Sequence, residues 1–97
     1  MKKLSALFLF LSILSISFAQ PAIKTGAEQT EKYLPLLKDK RVAIMANQTS
    51  IIGSSHLVDS LSKLGVIIVK VFGPEHGFRG NASAGAHVAD ETDPATG

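Results

Sequence analysis

The 97-residue chain contains no cysteine. That absence excludes disulfides and zinc–thiolate sites, and it excludes a lipoprotein-type anchor, which needs a cysteine to carry the lipid. Several stock catalytic signatures are also lacking. There is no G-x-S-x-G elbow and no H-E-x-x-H. No G-x-G-x-x-G follows the first apolar run, and the glycine-rich "GPEHGFRG" of residues 73–80 has neither the lysine nor the hydroxyl of a phosphate loop. A basic surplus is missing too. The formal net charge of +2 is carried by Lys2 and Lys3, leaving eight basic and eight acidic residues from Gln20 onward. Nothing in that balance argues for a nucleic-acid partner. No internal repeat, low-complexity tract or linker interrupts the chain.

What is present begins with a leader. "MKK" is a positive n-region, "LSALFLFLSILSISF" an apolar h-region, and Ser17 and Ala19 are the small residues of a cut before Gln20. The pattern is that of a secretory signal peptide over residues 1–19. The run is short for a span of about 20 apolar residues, and no basic stop-transfer cluster follows. The mature chain, residues 20–97, is therefore expected to be exported, periplasmic or secreted, with no stable membrane anchor after cleavage. It ends in the polar, turn-rich "DETDPATG". A sheet of two parallel strands cannot bury both faces, so residues 20–97 are expected to be the N-terminal portion of a larger, incomplete catalytic domain.

"TGAE", residues 25–28, matches a capping box with Thr25 as N-cap and Glu28 reciprocating. A helix is expected from about Ala27, with Leu34 and Leu37 inward; Pro35 either ends it near Tyr33 or opens a second short turn. "VAIMA" at 42–46 reads as a buried strand, and "NQTSIIGSS" as a loop. From His56 to Leu64, Leu57, Val58, Leu61 and Leu64 recur at helical spacing, with Ser54 or Ser55 as cap and Gly65 as stop. "VIIVKVF", residues 66–72, is the second strand. The unit is β-loop-α-β, for which a parallel right-handed crossover is expected. Both strand C-termini then lie on one sheet edge, where ligands of open α/β sheets bind. "NQTS" follows the first strand and "GPEHGFRG" the second, so the two most polar loops share a rim.

That rim holds the candidate chemistry. Glu75, partly screened by Pro74 and Phe78, is a candidate general acid; the plainer reading is a carboxylate held by Arg79 in an ion pair. His76 can orient that carboxylate, share a proton with it or bind a ligand hydroxyl, or simply satisfy nearby carbonyls. Arg79 offers a two-donor fork for a substrate carboxylate, or braces its loop. Asn47, Gln48 and Thr49 carry amide and hydroxyl groups suited to sugar hydroxyls, or form a turn that satisfies its own backbone. "NQT" is also a formal glycosylation sequon. His56 and His87 are read as incidental. A metal site on Glu75, His76 and His87 has no recognised spacing, so neither a metal nor another cofactor is expected.

In order and separation, "KRVAIMANQTS", "LGVIIVKVFGPEHGFRG", then "AG" and "DETDPATG" resemble the N-terminal region of the NamZ-type exo-β-N-acetylmuramidases, over roughly Gly26 to Gly97. The resemblance implies a Rossmann-like N-terminal domain followed by a smaller C-terminal one, with the active site in the cleft between. It implies an exo-acting glycoside hydrolase that removes N-acetylmuramic acid from non-reducing ends of peptidoglycan fragments, so peptidoglycan-derived saccharides are the expected partners. By the same resemblance the catalytic acid falls on Glu75, while Asn47, His76 and Arg79 line the sugar pocket. Glycosidases ordinarily need a second carboxylate or a substrate-assisted route, and nothing in the sequence selects among Asp90, Glu91 and Asp93. A guanidinium such as Arg79 suits the lactyl carboxylate of muramic acid; that pairing is a chemical inference beyond the resemblance. Two other classes remain open on the sequence: a periplasmic sugar- or muropeptide-binding module without turnover, and a cell-wall esterase or amidase, for which no nucleophile is visible.

Cleavage is expected after Ala19. Mass spectrometry of the exported protein should find Gln20 as its first residue, and an intact Met1 or Lys2 would refute the leader reading.

Overall fold

The computed structural model describes residues 21–97, so the leader lies outside the described residues. In chain order the elements are helix α1 (Thr30–Leu37), strands β1 (Arg41–Met45), β2 (Ile51–Ile52) and β3 (Ser55–His56), helix α2 (Leu57–Lys63) and strand β4 (Ile67–Phe72). β1 and β4 pair in parallel, from Arg41 opposite Ile67 to Met45 opposite Phe72. One further rung follows, as the Ala46 amide donates to the Phe72 carbonyl at 3.0 Å. The chain is a Rossmann-like α/β unit, and both long strands fall within one residue of their sequence-predicted limits.

The pairing is irregular at one point. Val42 lies opposite Ile68, but Ala43 lies opposite Lys70, so Val69 is an extra residue on β4. Strict alternation would turn Lys70 to the same face as Ile68. With the extra residue, Ile68 and Val71 are half-buried while Val69 and Lys70 both face solvent. The bulge keeps an ammonium out of the core.

The core lies on the α2 side of the sheet. Val58 and Leu61 of α2 are buried with Ile44 and Ala46, and Tyr33 and Leu34 of α1 close over them. Fully burying a side chain such as Val58 contributes about 1.5–3 kcal/mol. The opposite face is bare: Met45 is 80 % exposed, and Ile67, Val69 and Phe72 are each near one half. The apolar runs that read as buried strands are thus covered on one side.

Four local features differ from the sequence reading. The capping box forms, with Glu28 Oε2 accepting from the Thr25 amide at 2.7 Å and its hydroxyl at 2.9 Å, but it closes a turn, and the helix starts at Thr30. α1 then runs through Pro35. That proline is exposed, so the carbonyl of Glu31 it leaves without an amide can be hydrated. Within the expected loop, β2 and β3 form a small antiparallel hairpin around Gly53 and Ser54. His56, instead of a serine, caps α2: its Nδ1 accepts from the Val58 amide at 3.2 Å. Among the described residues no helix is long and apolar enough to cross a membrane.

Leu61→Ala is expected to cost about 2–5 kcal/mol in urea denaturation, whereas Met45→Ala should stay within about 0.5 kcal/mol. Equal losses would place the core on the wrong side of the sheet.

Candidate functional site

Parallel pairing sends the chain out of β1 and β4 at the same edge, and the two exit loops touch there. Gly80 has φ 75°, and a Cβ on it would lie 2.8 Å from Cβ of Gln48. Both facts favour glycine at this contact. The second loop is also folded tightly on itself. A Cβ at Gly73 would meet the Phe78 amide nitrogen and lie 2.7 Å from the Gly77 carbonyl carbon. Two turns follow in succession, the Gly77 amide donating to the Pro74 carbonyl at 2.9 Å and the Gly80 amide to the Gly77 carbonyl at 3.2 Å. His76, the third residue of the first turn, has φ 75°, a left-handed conformation that costs a residue with a Cβ about 1–2 kcal/mol.

The sequence-predicted residues divide by environment. Glu75 is solvent-exposed and not screened by Pro74 and Phe78 as expected. Its Oε1 accepts from the Gly85 amide at 3.3 Å. His76 is half-buried, and its Nδ1 lies 2.7 Å from the Ala82 carbonyl. A carbonyl only accepts, so Nδ1 carries the proton and Nε2 is left to face other groups. Asn47 closes its own turn: Oδ1 accepts from the Thr49 amide at 2.9 Å and the Thr49 hydroxyl at 2.7 Å. Gln48 and Thr49 are exposed on the rim.

Arg79 does not pair with Glu75. Its Nη1 and Nη2 donate to the two carboxylate oxygens of Asp59 at 2.9 and 2.7 Å. Its Nε and Nη2 donate to those of Asp93 at 2.9 and 2.6 Å. Four of the five guanidinium hydrogens are thereby committed, leaving, among the described residues, one on Nη1 without a partner. The ring of Phe78 lies under the guanidinium, 4.9 Å from its carbon. Asp93 also accepts from the amide and hydroxyl of Thr96 at 2.9 and 2.6 Å. These side chains are only 12–27 % exposed. Hydrogen bonds from Arg79, joined by those from Thr96, hold the Asp93 carboxyl well below its ordinary range. Hydrogen bonding from Arg79 does the same for Asp59. Asp93 first, then Asp59, raise Arg79 further above its already high value.

His56 is not incidental. With Nδ1 accepting the helix cap, its Nε2–H donates to the Asn47 carbonyl at 2.8 Å. Its ring meets Phe78 edge-on at 5.5 Å. One imidazole therefore links the first loop, the start of α2 and the second loop. A groove of about 670 Å³ opens along β4, bordered by Lys70, His76, Arg79, Asp90 and Asp93; Glu75 lies outside its lining. Asp90 pairs there with Lys70 at 3.2 Å. Among the described residues no three His, Asp or Glu side chains gather as a metal site.

Sequence reasoning missed Asp59, left Asp93 unselected beside Asp90 and Glu91, and read His56 as incidental. A signal for Asp59 was its place in the first turn of the predicted helix. The Asp-Pro-x-Thr spacing at 93–96 marked Asp93 as a turn former. Neither signal identifies Arg79 as the shared partner.

Comparison with known proteins agrees with the motif reading. The family model described as exo-beta-N-acetylmuramidase NamZ, N-terminal, matches residues 42–97. The chain is 32 % identical over 83 residues to the peptidoglycan beta-N-acetylmuramidase NamZ of Bacillus subtilis (strain 168), a match covering 80 % of this chain and 20 % of that protein. It is similar to the crystal structure of a DUF1343 family protein from Bacteroides fragilis NCTC 9343, with 54 % identity and a TM-score of 0.55, over 58 % of this chain and 16 % of that one. The chain thus spans about a fifth of the length of the curated relative.

The two depressed carboxyls make stability pH-dependent. Their folded values lie below the unfolded value of about 3.9, so their contribution is fully present above that pH and is lost as pH falls through the lower folded values. Asp93→Asn should cost about 1.5–3 kcal/mol at neutral pH, and this difference from wild type should shrink on acidification below about pH 3.9. Urea titrations at neutral and strongly acidic pH would measure it; a pH-independent difference would contradict the assignment.

Proposed function

The chain belongs to the exo-beta-N-acetylmuramidase NamZ N-terminal family, and from that premise we propose that it carries the acid catalyst of an exported, exo-acting glycoside hydrolase. The proposed reaction releases N-acetylmuramic acid from the non-reducing ends of peptidoglycan fragments. The observation that carries the reading is the meeting of two polar loops at the C-terminal edge of a parallel pair, with Gly80 against Gln48, and with Glu75 exposed on the second of those loops. A substrate can reach a carboxyl placed this way.

Hydrolysis of a glycosidic bond needs a proton for the departing oxygen. In the proposed mechanism Glu75 supplies it. A sugar seated over the rim displaces water, and desolvation favours the neutral, proton-donating form of a carboxyl group. His76, fixed through Nδ1 by the Ala82 carbonyl, turns Nε2 toward a ligand hydroxyl or the Glu75 carboxyl. Gln48 and Thr49 present amide and hydroxyl groups at the same edge, and Asn47 sets the turn that holds them. Asp93 does not serve as the second catalytic carboxylate in this scheme, because both its oxygens are occupied by Arg79.

Glu75→Gln preserves size but cannot donate a proton at useful cost. Turnover of a natural muramic acid glycoside should fall by about 10²–10⁴-fold, with little change in substrate binding. The loss should shrink for a nitrophenyl glycoside, whose leaving group departs without protonation. Equal losses on both substrates would remove Glu75 from the acid role, and wild-type binding without turnover would replace the enzyme by a sugar-binding module.

A further inference from the structure

We propose that Arg79 is a positioning residue rather than a substrate anchor, and that Asp59 and Asp93 act through it to set the loop bearing Glu75 and His76. The catalytic part of this inference rests on the reading of Glu75 given above; the mechanical part does not.

The loop needs an external hold. It carries a left-handed histidine within the first of two successive short turns, a conformation that persists only where its surroundings over-determine it. Its own bonds stay within ten residues, and one of them uses a charged group, the exposed Glu75 carboxylate. The Ala82 amide returns to the His76 carbonyl at 3.2 Å, His76 Nδ1 reaches the Ala82 carbonyl, and Gly85 reaches Glu75. Among the described residues, only Arg79 ties this turn through charged groups to parts of the chain more than ten residues away. It reaches back 20 residues to Asp59 at the start of α2, and forward 14 residues to Asp93. Asp93 is in turn fixed by Thr96. The guanidinium is therefore clamped from both sides in one plane, with Phe78 beneath it.

The donor count separates the two roles. A substrate carboxylate bound by a two-pronged fork needs a pair of adjacent N–H groups, and one alone lacks a partner here. Capturing a lactyl carboxylate would require releasing Asp59 or Asp93, each part-buried and doubly bonded. Arg79 thus fixes where Glu75 stands without touching the sugar. Lysine cannot replace it, because a single ammonium cannot present paired donors to two carboxylates at once.

The test uses Arg79→Lys, Asp59→Asn and Asp93→Asn in the complete protein, with two readouts. In amide hydrogen exchange, Gly77, Gly80, Ala82 and Gly85 should exchange about 10–100-fold faster in each variant, the range for losing a charge-assisted hydrogen bond. Ile68 and Val71 in β4 should keep their wild-type protection, which separates loosening of the loop from unfolding. In kinetics, kcat should fall by up to about 10²-fold, as for misplaced catalytic groups. KM should be nearly unchanged, and the preference for muramic acid over plain N-acetylglucosamine glycosides should be retained. Unaltered loop exchange would overturn the clamp whatever the activity. A selective rise in KM for muramic acid glycosides, with kcat preserved, would restore Arg79 as the anchor and overturn the positioning role. Faster loop exchange in a protein whose wild type turns over no muramic acid glycoside would support the clamp and refute the functional reading instead.

Discussion

Two parallel strands cannot be joined by a tight turn, and much of this structure follows from that constraint. The chain leaving β1 must travel the length of the sheet before it can enter β4 beside it. It does so through the β2–β3 hairpin and α2, and the crossover supplies the helix whose Val58 and Leu61 make the core. The same constraint brings both strand exits to one edge. An antiparallel pair would have put "NQTS" and "GPEHGFRG" at opposite ends of the sheet. Packing and site placement are therefore two results of one topological requirement.

Electrostatics then fixes what topology only brings near. One guanidinium between two carboxylates leaves a net negative charge, held at the margin of the core on the face of Phe78. Such a group is worth less as a source of stability than as a source of geometry. Partial burial makes charges costly unless paired, and the forked pairing tolerates few alternative arrangements. His56 adds a neutral counterpart, spending one nitrogen on the helix and the other on the Asn47 carbonyl. The two loops are thus joined to α2 by one charged link and one uncharged link.

Most of the scaffold was legible in the sequence, and the reasons are local. Two branched apolar runs, a helical spacing of Leu57, Val58, Leu61 and Leu64, and a glycine at 65 each report on a few neighbouring residues. The polar rim followed from topology alone. The capping box was readable as chemistry but not as a helix boundary, because Glu28 satisfies Thr25 equally well in a free turn. Arg79 could be named as a candidate, while its partners could not. Asp59 and Asp93 are 20 and 14 residues away, and their approach depends on how α2 and the final turn pack. The role of His56 was hidden for a related reason: it needed the hairpin to deliver the ring to the start of the helix.

The extra residue in β4 matters beyond the lysine it keeps out of the core. A strand carries direction in its parity: each added residue exchanges the two sides for everything downstream. Val69 makes that exchange once, between Val42 and Ala43 on the partner strand. Val71 therefore turns inward, and the chain passes Phe72 into Gly73 heading back over α2, where Phe78 joins the core and Arg79 finds Asp59. Counted in the other parity, Lys70 and Phe72 would face α2 and Val71 the bare side. A single unpaired valine thus decides which side chains of β4 meet the helix.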